Sequence, residues 1–152
     1  MKDINPIWKS IKRKYRYTDI YKDKLWSAVS MFCVARDMKL HKGICIACGK
    51  KKVLQAGHYA PMSNCGLDLA FDEKNIHGEC EYDNGFNGGH LIGYRMGLVA
   101  RYGELYATEL DNRYNDSRYK GKTTKISKLE YINRAINFME RLEELNKLYC
   151  KF

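Results

Sequence analysis

Two pairs of metal-ligand side chains place the tightest limit on how this chain can fold. Cys45-Ile-Ala-Cys48 and Cys80-Glu-Tyr-Asp83 each set two donors three positions apart, with residues 49–79 between the pairs. A two-residue gap is too tight for an ordinary structural disulfide and suits two thiolates on one metal. One donor pair from a turn and one from the start of a helix are what a tetrahedral structural zinc needs. The spacing therefore predicts Zn²⁺ held by Cys45, Cys48, Cys80 and Asp83. Three thiolates and one carboxylate form a less common set than four cysteines, but carboxylate oxygens bind zinc at similar distances. His77 and His90 are alternative fourth ligands. Cys33 falls in a helical apolar pattern and reads as a small buried hydrophobe; Cys65 and Cys150 have no evident role. The basic N-terminus has no apolar stretch behind it, so it does not read as a signal peptide. A reducing compartment, the cytoplasm, is expected.

Apolar periodicity supplies the rest of the frame. Residues 5–15 can form a short helix, with Pro6 in its first turn. Tyr21, Leu25, Ala28, Phe32 and Ala35 make one face of a helix over residues 20–38. Residues 44–59 read as a hairpin around the first cysteine pair, 60–70 as a loop, and 75–78 as a short extended piece. Residues 80–89 begin a helix, and Leu91, Tyr94, Leu98 and Ala100 carry a helical face to Gly103 as its C-cap. Residues 114–125 are polar and basic and read as a linker. Ile126, Leu129, Ile132, Ile136, Met139, Leu142, Leu145 and Leu148 then form the longest apolar stripe in the chain. The expected architecture is α+β: a basic helical extension at 1–43, a zinc-stapled core at 44–103, and a basic linker with a long amphipathic helix at 104–152. At 152 residues these form one compact domain.

The charge is high and uneven. With 27 Lys and Arg against 18 Asp and Glu, the net charge is +9. Residues 1–43 carry +7 and residues 113–128 carry +5, and tyrosines 15, 17, 21, 114 and 119 interleave with the cations. Lysine and arginine neutralise phosphates, and tyrosine rings stack on unpaired bases. A nucleic-acid partner is therefore expected, gripped by Lys12, Arg13, Lys14 and Arg16 at one end and by Arg118, Lys120, Lys122 and Lys125 at the other. No stretch is long and apolar enough to span a membrane.

Between the ligand pairs lie His58, at the end of an expected strand, then Asn75 and His77, with Asn84 directly after the last metal ligand. A histidine at a strand end and an amide at a helix start, both pinned by one zinc, suit phosphodiester hydrolysis. The imidazole can take a proton from water near neutral pH. A nearby divalent cation stabilises charge developing on phosphorus and on the leaving oxygen.

The sequence His58…Asn75…Asn84 within the knuckle resembles the HNH (ββα-metal) nucleases in an H-N-N form. More closely, Leu25-Trp26, Arg36-Asp37, Cys45-Ile-Ala-Cys48-Gly49, Gln55-Ala-Gly-His58-Tyr59, Asn75-Ile-His-Gly78, Cys80, Asn84 and residues 94–103 resemble the phage NinG/Rap recombination nucleases. The cysteine knuckle followed at once by Asn also resembles the endonuclease VII-type resolvases. These resemblances imply a treble-clef-like HNH core and a structure-selective endonuclease. Its substrates would be branched DNA such as Holliday junctions and D-loops, cut to 5′-phosphate and 3′-hydroxyl ends. His58 would be the general base, Asn84 a ligand of catalytic Mg²⁺ or Mn²⁺, Asn75 the residue that holds the loop or orients His58, and His77 a supporting catalytic residue. A homodimer joined through the last helix, and phage or host recombination proteins, are the implied partners.

Two positions depart from the pattern. The second knuckle normally ends in Cys, and Asp83 stands there. The position before the catalytic histidine is often an Asp metal ligand, and Gly57 stands there. Because Mg²⁺ usually wants at least one carboxylate, Asp72, Glu73, Glu79, Glu81 and Asp83 are all open candidates, and His77, on the same strand face as Asn75, is an alternative ligand. The second reading is a non-catalytic zinc-knuckle DNA-binding module in which His58 and His77 are structural. A thiol-redox switch at Cys45 and Cys48 is a third, but it leaves the basic clusters unexplained.

Overall fold

A computed structural model describes residues 19–88, 90–120 and 126–149. The expected helix at 5–15 and the cations Lys12, Arg13, Lys14 and Arg16 lie outside these residues, as do Lys122 and Lys125. The elements run α1 (Asp19–Leu40), β1 (Leu54–His58), α2 (Leu67–Ala70), a 3-10 turn (Glu73–Asn75), β2 (Ile76–Cys80), a wide helical turn (Tyr82–Phe86), α3 (Leu91–Tyr102), α4 (Glu104–Lys120) and α5 (Lys128–Tyr149).

The core is built where α1 packs on α5. Leu25, Ala28, Val29, Phe32 and Cys33 of α1 face Tyr131, Ala135, Phe138 and Leu142 of α5, all buried. The Phe32 and Phe138 rings pack at 5.5 Å, and the Arg141 guanidinium lies 4.3 Å from the Phe32 centroid. Arg141 also holds Glu73 at 2.7 Å, which ties α5 to the turn before β2. Of the stripe expected to join two subunits, only Leu142 is buried in this face; Ile132, Met139 and Leu145 flank it, and Leu129 and Leu148 are exposed. Both helices are amphipathic, and each covers the other's apolar face at short range.

Three further expectations are corrected. Residues 44–59 are not a hairpin. The knuckle is a tight turn with one bridge, Ile44 to Lys51, closed by the Cys45 amide donating to the Lys50 carbonyl at 2.9 Å. The strand leaving it pairs antiparallel with β2, Leu54 opposite Cys80 and His58 opposite Ile76. A turn bent around two donors is too sharp to support a flanking ladder, so β1 takes its partner from beyond the loop. That loop contains α2, where an irregular segment was expected. Residues 114–120 continue α4 rather than forming a linker. α4 is anchored by Arg113 on Asp72 at 2.7 Å and by Tyr59 donating to Asp111 at 2.6 Å, while Ala107 and Leu110 are buried. These few tertiary contacts override a sequence with little amphipathic pattern.

α3 lies against the knuckle at its two glycines. A Cβ at Gly97 would run into the Ile46 carbonyl, and one at Gly93 into the Ala47 carbonyl. The obstacle is backbone and cannot swing aside, so Gly97→Ala is expected to cost about 1–3 kcal/mol by overpacking. Thermal denaturation should show the fall in Tm. An unchanged Tm would mean that α3 does not press on the knuckle.

Candidate metal centre and adjoining cleft

The donor atoms of Cys45, Cys48, Cys80 and Asp83 all lie within 4.8 Å of one another. A tetrahedral zinc with Zn–S near 2.3 Å separates its ligand atoms by about 3.8 Å, so the four residues fit zinc. Asp83 Oδ2 stands 3.1 Å from Cys80 Sγ and 3.4 Å from Cys45 Sγ. Its other oxygen faces Asn87 Nδ2 at 3.4 Å and His90 Nδ1 at 3.3 Å. Cys45 Sγ also accepts the Cys80 backbone N–H at 3.3 Å, a bond that favours thiolate character. The cluster could therefore hold a metal such as zinc. His90 meets the outer oxygen of Asp83 rather than joining the cluster, and His77 is directed elsewhere.

His58 and Asn84, 26 positions apart in sequence, line one cleft of about 210 Å³ with Pro61, Met62, Gly88 and Leu91. His58 ends β1 and is half-buried. Its ring stacks on Trp26 at 4.7 Å and 17°. Nε2 lies 2.8 Å from the Ala70 carbonyl oxygen. A carbonyl only accepts, so Nε2 carries the proton and Nδ1 keeps its lone pair. Burial pushes the His58 pKa below 6.5, opposed in part by the bond to Ala70, so the ring is neutral at neutral pH.

Asn75 is fully buried and closes the loop between the strands. Its amide donates to Ala60 O at 3.0 Å and Leu69 O at 3.1 Å, while its oxygen accepts from Ala60 N at 2.7 Å. With all three bonds made to backbone, Asn75 holds the segment that carries the Ala70 carbonyl under His58.

His77, expected as a supporting catalytic residue, is fully enclosed and takes part in a different network. Arg36 Nη2 donates to its Nδ1 at 2.9 Å, and Nε2 donates to Lys74 O at 3.1 Å. Both ring nitrogens are engaged, so His77 has no free position for proton transfer. Asp37 accepts from Arg36 Nε at 2.7 Å and from the Gly78 amide at 2.6 Å. Although burial opposes its charge, the Arg36 guanidinium holds the Asp37 carboxyl well below the usual carboxylate range. This network fastens α1 to β2, and so to the strand that leads into the second ligand pair.

Sequence reasoning missed the stacking role of Trp26 and the setting of Glu79. Glu79 is fully buried, and burial together with the nearby Asp83 charge pushes its carboxyl up to about 8. A cue was present in the acidic residue directly before Cys80 on a strand otherwise made of Ile, His and Gly. Arg118 and Lys120 fall on the last turn of α4; their side chains, like Lys122 and Lys125, are outside the described residues. No described helix is long and apolar enough to cross a membrane.

Comparison with known proteins places this site in a family. No solved structure matches the chain. The ninG protein of Escherichia phage lambda is 35% identical over 106 residues, covering 68% of this chain and 50% of that protein. The ninG protein of Salmonella phage P22 is 35% identical over the same shares, and that of Escherichia phage 933W is 34% identical over 68% of this chain and 51% of its own. The chain thus spans about half the length of these relatives. The family described as Bacteriophage Lambda NinG protein matches residues 4–141, which takes in the metal cluster, the cleft and most of α5. The chain belongs to the NinG family.

Proposed function

We propose that this protein is a divalent-metal-dependent DNA endonuclease that cleaves branched recombination intermediates, Holliday junctions and D-loops among them. The observation that carries the reading is the shared cleft of His58 and Asn84 beside the cysteine cluster. His58 is neutral, fixed by Ala70 and Trp26, and keeps Nδ1 free as a base. It would take the proton from the attacking water. Asn84 offers an amide oxygen of the hard type that Mg²⁺ and Mn²⁺ prefer. The catalytic cation would stabilise charge on phosphorus and on the leaving oxygen. Zinc would serve the structure instead, by holding Asp83, and therefore Asn84, against the strand that ends in His58. Cleavage would leave 5′-phosphate and 3′-hydroxyl ends.

The basic segments at 1–43 and 113–128 would grip the arms of the junction, and a homodimer would suit its two symmetric scissile strands. Phage or host recombination proteins are the further partners this role implies, with the host cytoplasm as the setting. The test is a labelled four-way junction incubated with the protein, with and without Mg²⁺ or Mn²⁺. Metal-dependent nicks near the branch support the reading. Binding without cleavage of four-way, forked or D-loop substrates would establish the zinc-knuckle binding module instead.

Electrostatic binding has its own expected result. Each phosphate contact adds about one unit to the slope of log K against log[salt]. Neutralising Lys120, Lys122 and Lys125 together should flatten that slope by up to about three units. An unchanged slope in a filter-binding titration would mean that this segment points away from the DNA.

A further inference from the structure

One acidic side chain in the core has no hydrogen-bond partner among the described residues. Glu79 stands in the middle of β2, opposite Gln55 of β1, and its exposure is 0%. Neither carboxylate oxygen has a hydrogen-bond partner among the described residues. A buried carboxylate is normally paired, hydrogen-bonded or bound to a metal. Arg36 and Arg101, the cations that also reach this core, are engaged with Asp37. The hydroxyl of Tyr94 has one proton, which it donates to the Gly57 carbonyl at 2.8 Å.

The position of the carboxylate narrows its role. A Cβ on Gly57 would collide with Glu79 Oε2, so the glycine leaves room for this group. Gly57 is the residue before His58. Glu79 is itself the residue before Cys80, whose strand leads into the turn that carries Asn84. The carboxylate therefore lies against the immediate neighbour of His58, on the strand that leads to Asn84.

We propose that Glu79 is the carboxylate ligand of a divalent cation at the His58–Asn84 cleft. Glu79 thus supplies from β2 the hard anionic oxygen that position 57 of β1 lacks. The inference rests on the proposed nuclease reading for its biological use, but its test does not.

Zinc-loaded protein is titrated with Mn²⁺ alone, and free Mn²⁺ is followed by electron paramagnetic resonance. Wild type should bind one Mn²⁺ beyond the zinc. Glu79→Gln, which keeps the shape and removes the charge, should weaken that affinity at least about ten-fold, with zinc content unchanged. Equal Mn²⁺ affinity in both proteins, or no Mn²⁺ binding by wild type, overturns the proposal. Should Glu79→Gln fail to fold, wild type still decides: Mn²⁺ should broaden the amide resonances of Gly57 and Glu79 first, and broadening that spares Glu79 overturns it. Mn²⁺ held through Glu79 without junction cleavage leaves this site standing and removes the nuclease reading. Junction cleavage by Glu79→Gln with the metal dependence of wild type does the reverse.

Discussion

Stripping the metal from Cys45, Cys48, Cys80 and Asp83 should unfold the knuckle, the two strands and the cleft together. Structural zinc in small peptides contributes about 10–16 kcal/mol of apparent binding free energy. Whole domains are stable by only about 5–15 kcal/mol. The cluster is also the point at which the Cys45 turn, β2 and the turn at Tyr82–Phe86 meet. Without the ion, three thiols and Asp83 are left crowded within 4.8 Å, and the β1–β2 ladder loses the anchor at its Cys80 end. Elemental analysis should find about one zinc per chain. After chelation, amide exchange should lose protection over 44–90, while the α1–α5 pair, whose core lies outside the knuckle, keeps more of its own. Protein purified without zinc, or protection unchanged after chelation, would sink the assignment. Asp83→Cys should keep or tighten the site, because a thiolate then completes the set. Loss of zinc in that variant would mean that Asp83 is not the fourth ligand.

How much of this could be read from residues alone depends on the range over which each feature is determined. The ligand pairs were legible because coordination forces its own short spacing, three positions within each pair. Helices α1 and α5 were legible because burial on one side repeats at the helical period, and β2 because 75–78 had few other options. The partner of β1 was not legible, since pairing across residues 59–75 is a long-range contact that no local pattern records. α4 was not legible because its apolar face is sparse, Ala107 and Leu110 being its buried residues, and contacts such as Arg113 to Asp72 and Tyr59 to Asp111 hold it in place. The stripe of α5 was legible as apolar but silent about its partner, and the face that packs on α1, Tyr131, Ala135, Phe138 and Leu142, shares only Leu142 with it. A stripe that packs on α1 and a stripe that packs on a second subunit have the same period.

The site shows the same division. His58 and Asn84 stood out by their place relative to the ligand pairs, and the fold does put them on one cleft. His77 carried an equal signal, two positions after Asn75, yet its ring is enclosed. The difference lies in Arg36 and Asp37, which come from a helix some 40 positions earlier and claim it. Glu79 was legible only as one of five carboxylate candidates, because its burial depends on long-range packing that its neighbours in sequence barely record.

His58→Ala should decide between enzyme and binding module. A positioned general base contributes about 10²–10⁴-fold in rate, and junction cleavage should fall by that factor. His58 is neutral at neutral pH, so its loss removes no charge, and junction affinity and zinc content should stay near wild type. Its stacking partner Trp26 and the Ala70 carbonyl are left without contact, so a modest fall in Tm is expected, small beside the loss in rate. The pH profile gives an independent reading. Burial holds the imidazole pKa below 6.5, and only the neutral ring can accept a proton. Cleavage should therefore persist as pH drops past 6.5 and decline only at the lower, folded-state value. A profile falling with a midpoint above 6.5 would point to another base. Asn84→Ala should be impaired yet partly rescued by higher Mn²⁺, as expected when a metal ligand is lost. His77→Ala should lose stability, since it leaves Arg36 and Lys74 O without their buried partner. If His58→Ala cleaves at the wild-type rate, His58 is not the base, even in a protein that proves to be a nuclease.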